Sequence, residues 1–181
     1  MRDIILSNMK NINNNNFIYC PRCSSKSLKE LSEKSFTCSN CGFLFYLNVA
    51  AAAAAIILDE HNRVLITIRN NDPGKNKWDL PGGFVDPNET IEECLEREIY
   101  EELNIKLSSS KYFCSRPNTY IYNGVSYSTI DLAFVCEVDD FSNIKARDDV
   151  KAFFFCPLQE IKLANFGFNS IKEIVSLYLR K

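Results

Sequence analysis

The sequence of 181 residues predicts a mixed α/β or α+β domain with a small appended module, and three observations carry that prediction. Four cysteines fall in two Cys-x-x-Cys pairs, Cys20/Cys23 and Cys38/Cys41. β-branched and aromatic runs, separated by turn clusters, are interleaved with two stretches of helical periodicity. An acidic helix follows directly on a Pro-Gly-Gly turn. The length accommodates one ordinary domain plus such a module, and 46% hydrophobic residues supply a core.

Charge and hydropathy exclude several classes. Lys+Arg 21 against Asp+Glu 23 leaves a net charge of -2, whereas a protein that coats a polyanion shows a basic excess. No apolar run approaches the roughly 20 residues of a membrane-spanning helix. The first residues hold only the short patch Ile4–Leu6 and no small-residue cleavage site. The expectation is a soluble, cytoplasmic protein with no membrane partner.

Taken in order, residues 1–16 end in the run Asn13–Asn16 and read as a tail without periodicity. The cysteine module occupies 17–46, and the main domain is expected over 47–181. Six alanines, Ala50–Ala55, lead into Ile56-Ile57-Leu58. Alanine favours helix, but the turn cluster Asp59-Glu60-His61-Asn62 and the β-branched run Arg63–Arg69 favour a hairpin of 50–58 with 63–69, its alanines placed where another element comes close. A loop covers 70–81. A helix over about 90–103 opens at Thr90, with Glu92 and Glu93 complementing its dipole. Strands at 119–123 and 125–138 flank an Asn123-Gly124 turn. Ala152–Cys156 reads as a further strand, and an amphipathic helix over about 169–180 carries Ile171, Ile174, Val175 and Tyr178 on one face. No internal repeat is visible.

In the first module fourteen residues separate Cys23 from Cys38, and Gly42 follows the second pair. Two such knuckles close a tetrahedral sulfur shell around one Zn²⁺. The intervening Leu28, Leu31 and Phe36 are too few to fold the segment without metal. Two disulfides would need an oxidising compartment, and a redox Cys-x-x-Cys would sit beside a βαβ pattern that is absent here. An iron centre could use the same sulfurs. A full sulfur shell leaves no open position for catalysis, so a structural zinc ribbon is expected. The single cysteines Cys94, Cys114, Cys136 and Cys156 read as small buried hydrophobes.

The informative stretch runs from Gly82-Gly83 through Glu89 to Arg97-Glu98-Ile99-Tyr100-Glu101-Glu102. On a helix, positions 98, 101 and 102 share one face. Three like charges there are unfavourable unless neutralised, and Arg97 supplies one positive charge. A divalent cation with oxygen ligands, Mg²⁺ or Mn²⁺, is the simplest compensation. A solvated acidic face is the plainer alternative, but the Pro81-Gly82-Gly83 turn directly before the helix argues for a built site.

The segment resembles the Nudix box, Gly-x5-Glu-x7-Arg-Glu-(apolar)-x-Glu-Glu-x-Gly-(apolar). Gly83, Glu89, Arg97, Glu98, Ile99, Glu101, Glu102 and Ile105 fall in register, and Asn104 stands in place of the last glycine. Asn is the residue after Gly that best tolerates the left-handed geometry required there. Lys77–Pro81 looks like the usual approach to the box. The resemblance implies an α/β/α sandwich with a mixed sheet, and a zinc ribbon before it is similar to the arrangement in NADH and plant FAD pyrophosphatases. Ser115-Arg116-Pro117-Asn118 departs from the Ser-Gln-Pro-Trp-Pro-Phe-Pro signature of the NADH type.

By that resemblance the protein hydrolyses a nucleoside diphosphate linked to another moiety, such as ADP-ribose, FAD or NADH. The products are a nucleoside monophosphate and a phosphorylated product. Glu98, Glu101 and Glu102 would ligate Mg²⁺, with the Gly82 carbonyl as a further oxygen. Arg97 would orient the glutamates, and Glu89 would pair with Arg97 or support an outer metal. Glu101, Glu102, Asp148 and Asp149 are candidate bases. Arg69, Lys75 and Lys77 could steer phosphates, Trp78 reads as a packing residue and His61 as inert. Many relatives are homodimers. A MutT-like triphosphate hydrolase and a nucleotide-sensing transcriptional regulator are the alternatives. The second is disfavoured by the complete carboxylate set and by ribbon cations balanced with Glu30 and Glu33.

Overall fold

The computed structural model describes residues 17–181, so the tail expected at 1–16 lies outside the described residues. The chain forms two units. One holds the ribbon up to Val49 together with Thr119–Ser128, and the other holds Ala50–Asn118 and Thr129–Lys181.

In the ribbon, β1 (Leu28–Ser32), β2 (Ser35–Cys38) and β3 (Leu44–Tyr46) make an antiparallel sheet in that order. Each Cys-x-x-Cys is closed the same way. Ser24 N donates to Cys20 O at 2.8 Å and Gly42 N to Cys38 O at 2.9 Å, with Ser24 and Gly42 at φ 59° and 72°. Serine therefore carries in the first knuckle the left-handed turn that glycine carries in the second. The small core draws on the flanks as well as the intervening stretch. Phe17, Phe36 and Phe45 pack ring to ring at 5.5–6.4 Å. Phe43 and Leu47 pack with them around Leu28, while Leu31 is 64% exposed.

The second unit contains β4 (Ala50–Ile57), β5 (Arg63–Arg69), β6 (Trp78–Asp79), α1 (Ile91–Leu103), β9 (Val150–Pro157) and α2 (Asn169–Tyr178). Most of β7 (Ser109–Tyr122) and β8 (Val125–Glu137) also belongs to it. One sheet runs β4-β8-β7 and the other β6-β5-β9. The expected strands at 50–58 and 63–69 form, but not as a hairpin. Only Leu58 bridges Val64, and beyond that point the strands enter different sheets. β4 instead pairs in parallel with β8, from Ala50↔Thr129 to Ile57↔Cys136.

The other edge of β4 explains the correction. Ala53 N donates to Gly83 O at 2.8 Å, Ala55 N to Pro81 O at 2.8 Å, and Val85 N to Ala51 O at 3.0 Å. With β8 on one side and the Pro81–Val85 segment on the other, no edge is left for β5. The alanine faces alternate as in any strand. Ala53 and Ala55 pack with Leu95, Ile99 and Leu103 of α1, whereas Ala54 packs with Ile171, Ile174 and Val175 of α2. Helices on both faces override the helical propensity of alanine and make a three-layer α+β fold. Leu95, Ile99 and Leu103 are fully buried, each contributing about 2 kcal/mol. The Asn123-Gly124 turn has both residues at positive φ, 48° and 77°, as a tight hairpin requires. β7 starts ten residues before the strand expected at 119 and runs through Pro117, which its place at the sheet edge allows. The single cysteines Cys94, Cys114, Cys136 and Cys156 are buried.

Candidate active site

The carboxylate helix is closed at both ends. Thr90 accepts from Glu93 N at 3.2 Å and its own N–H donates to the Glu93 carboxylate at 2.8 Å, a reciprocal cap. At the far end Asn104 adopts φ 56°, ψ 34° and donates its side chain to Asn143 O at 3.0 Å. Lys145 N and Arg147 N donate to the carbonyls of Leu103 and Glu102, each at 2.9 Å. The loop after β8 thus satisfies carbonyls that a helix end leaves open.

Arg97 is the hub on the exposed side. It reaches Glu89 at 2.7 and 2.9 Å, Glu98 at 2.8 Å, Glu101 at 3.1 Å and the Phe84 carbonyl at 3.1 Å. The guanidinium holds the Glu89 carboxyl down at about 2 and is itself held protonated. Burial pushes Glu98 up, against the pull of Arg97.

Glu102 lies on the inner side, 7% exposed, and accepts from Gly82 N at 2.9 Å. Burial lifts its pKa well above the carboxylate range, with that N–H opposing. Both glycines are fixed by close approach. Gly82 has φ 139°, and a Cβ on it would overlap the Ala53 backbone; a Cβ on Gly83 would overlap the Glu98 carboxylate. No backbone N–H among the described residues donates to the Gly82 carbonyl. Glu98 and Glu101 are therefore drawn to Arg97, and Glu102 to the turn. Among the described residues only the cysteines gather their ligand atoms at one point.

The other expected residues divide. Asp148 is exposed, and its charge acts on Glu98 from the loop after β8. Asp149 accepts from Asn71 at 2.6 Å. Trp78 packs edge-on against Phe154 and Phe166. His61 is exposed beside Glu60. Lys75 and Lys77 are exposed, but Arg69 is not a loop cation of that kind. Its side chain, 18% exposed, binds Asp79 at 2.9 Å and the Pro73 carbonyl at 2.8 Å and lies over the Phe168 ring. Burial lifts Asp79 to about 6 despite Arg69. Sequence reasoning missed this pair; Arg69 and Asp79 lie ten residues apart, and only the pairing of β5 with β6 joins them. Cys94, buried as expected, has its thiol 3.6 Å from Gly83 O, under the turn.

In the ribbon the four sulfurs lie within 4.8 Å of one another, and Cys20–Cys41 and Cys23–Cys38 are each 3.7 Å apart. Tetrahedral Zn–S bonds of 2.3 Å place sulfurs about 3.8 Å apart. The Ser25 and Ser27 hydroxyls lower Cys38 to about 5, which favours the thiolate a metal needs.

A glycine turn feeding an acid-lined helix within a three-layer α+β fold defines an enzyme-like centre, and comparison with known proteins specifies it. The family model of the NUDIX domain matches residues 48–177. Among curated relatives, an ADP-ribose pyrophosphatase of Methanocaldococcus jannaschii is 31% identical over 90% of this chain and 88% of its own. An NAD-capped RNA hydrolase NudC of Chromobacterium violaceum is 26% identical over 67% of this chain, and the chain spans 43% of that protein's length. The crystal structure of a NUDIX hydrolase from Nitrosomonas europaea shares the fold, with a TM-score of 0.68 at 23% identity over 90% of both chains. The chain belongs to the NUDIX family of hydrolases.

The Glu89–Arg97 pair has a pH consequence. Its folded-state pKa of about 2 lies below the ordinary 4.5, so its stabilisation is complete above about 4.5 and is lost as pH falls toward 2. Thermal midpoints measured from pH 2 to pH 7 should show Glu89→Gln melting below the parent at neutral pH, with the gap closing at the acid end. A gap independent of pH would contradict the pairing.

Proposed function

We propose that the protein is a Mg²⁺-dependent pyrophosphohydrolase that cleaves a nucleoside diphosphate linked to another moiety, with ADP-ribose as the first substrate to try. The observation that carries this is the complete set Glu98, Glu101 and Glu102 on α1, tied through Arg97 and Gly82 to one turn. The relative named an ADP-ribose pyrophosphatase, matched over nearly its full length, supports the same substrate. FAD and NADH belong to the same class. The segment Ser115–Asn118, built into β7, gives no support to NADH in particular.

The residues fit a hard divalent cation. Three carboxylates and the Gly82 carbonyl are the oxygen donors such an ion takes, and uncompensated they crowd one helix face. Glu98, Glu101 and Glu102 would hold Mg²⁺, which when bound neutralises phosphate charge and lowers the pKa of water. Arg97 orients Glu98 and Glu101, and Gly82 N–H orients Glu102. Water adds to one phosphorus and the bridging P–O bond breaks, giving AMP and ribose 5-phosphate from ADP-ribose. The water proton passes to a carboxylate. Glu101 and Asp148 are exposed for that role, while Glu102 is turned to Gly82 and Asp149 to Asn71. The ribbon, 17–46, holds a structural Zn²⁺ through Cys20, Cys23, Cys38 and Cys41.

AMP release from ADP-ribose with Mg²⁺ tests the reading. Glu101→Gln should lower kcat by about a hundredfold or more with little change in melting temperature, since Glu101 is exposed. Release unaffected by that substitution would refute the assignment. Elemental analysis should find one zinc per chain and none in Cys38→Ser; a zinc-free parent would remove the ribbon's metal.

A further inference from the structure

The loop after β5 is tied to the start of β9, and nothing in the roles of α1 accounts for it. Asn70 N donates to Asp149 O at 2.8 Å, and the Asn71 side-chain amide donates to Asp149 Oδ1 at 2.6 Å. A further bond runs from Lys151 Nζ to Asn76 Oδ1 at 2.7 Å. Arg69 shapes the same loop from its other end. Its N–H donates to Lys77 O, its carbonyl accepts from Asn76 N, and its Nε reaches Pro73 O at 2.8 Å. The Arg69–Asp79 ion pair is thus the root of a brace that ends at Asp149.

A turn over 147–150 joins this brace to α1. Val150 N donates to Arg147 O at 3.0 Å and closes the turn. Arg147 N donates to Glu102 O at 2.9 Å, which fixes one side to the carbonyl end of α1. Asp149 fixes the other side through Asn70 and Asn71. Asp148 stands between them at φ 48°, a left-handed conformation that few residues with side chains adopt. Its backbone is therefore held from both sides. Its carboxylate is exposed and makes no hydrogen bond or ion pair among the described residues. Glu101, the other exposed candidate base, is bound by Arg97 at 3.1 Å. Glu98 lies one helical turn back from Glu102 on the same face. Arg147 thus brings Asp148 alongside the carboxylate row, and its charge acts on Glu98 from there.

Resting on the hydrolase reading above, we propose that Asn71 is a positioning residue: through Asp149 it holds Asp148 where it takes a proton from the attacking water. The water oxygen bonds to phosphorus, the bridging P–O bond breaks, and its electron pair stays on the departing phosphate. A carboxylate on an untethered loop would occupy that place only part of the time. The bonds from Asn70 and Asn71 to Asp149 remove that freedom before substrate arrives.

Kinetics of ADP-ribose cleavage by the full chain with Mg²⁺ test the brace. Asn71→Ala should lower kcat about tenfold with KM changed by less than about twofold. Its melting temperature should match the parent, since Asn71 is exposed. Asn71→Asp sets a carboxylate against Asp149 at nearly the same size, and should lower kcat at least as far. Asp148→Asn should lower kcat about a hundredfold. Adding Asn71→Ala to it should change nothing further, because the two residues act as one unit. A general structural role for Asn71 would instead give losses that multiply. Hydrogen exchange needs no turnover: the Arg147 and Val150 amides should exchange about tenfold faster in Asn71→Ala, with the interior of α1 unchanged. Parental kcat or parental exchange in Asn71→Ala, or multiplied losses in the double variant, overturns the proposal. Faster exchange in a chain that fails to cleave ADP-ribose would remove the hydrolase reading and leave the brace standing.

Discussion

Arg97 binds Glu89, Glu98, Glu101 and the Phe84 carbonyl together, and that guanidinium is the charged link of the seam between the glycine turn and α1. Three carboxylates at such spacing on a helix repel one another. One delocalised cation with several donors in fixed directions can serve Glu98 and Glu101 together with Glu89, which a lysine ammonium cannot do with the same geometry. The same group ties the turn to the helix, so charge compensation and loop position are one interaction. Its compensation is partial, because Glu102 lies outside its reach and rests on Gly82 N–H. On the hydrolase reading proposed above, that partial compensation is what a divalent cation would complete.

Behind the seam stands a steric constraint. The turn can lie where it does because Gly82 has no side chain: a Cβ there would overlap the backbone of Ala53 and Ala54. A larger residue at Ala53 or Ala55 would press on α1 and one at Ala54 on α2, since the helices pack on these positions of β4. The alanines set the separation of the layers, and the glycines set the height of the turn above Glu98. The ribbon is a unit with a separate requirement, four sulfurs brought together by two matching turns.

Much of this was legible in the sequence because it is local. The Thr90 cap, the helix to Leu103, the left-handed Asn104 and the Asn123-Gly124 turn each depend on residues within a few positions of one another. The spacing of the four cysteines likewise specified the cluster. What was not legible depends on partners distant in the chain. Nothing near Ala50 announces that β8, some eighty residues on, is its parallel neighbour, so the short link to β5 was read as a hairpin. Arg69 read as a phosphate-steering cation because Asp79 meets it only across β5 and β6. Ser24 gave no signal of its left-handed turn, since serine rarely serves there.

The central claim is that the acids of α1 form a divalent-metal site for which Arg97 supplies only part of the counter-charge. Electron paramagnetic resonance titration with Mn²⁺ tests it directly, comparing the zinc-loaded parent with Glu98→Gln and Ser24→Ala, the second a control in the ribbon. The account predicts Mn²⁺ binding in the parent and in Ser24→Ala, weakened by about tenfold or more in Glu98→Gln. Equal Mn²⁺ binding in all three proteins, or none in the parent, would contradict it.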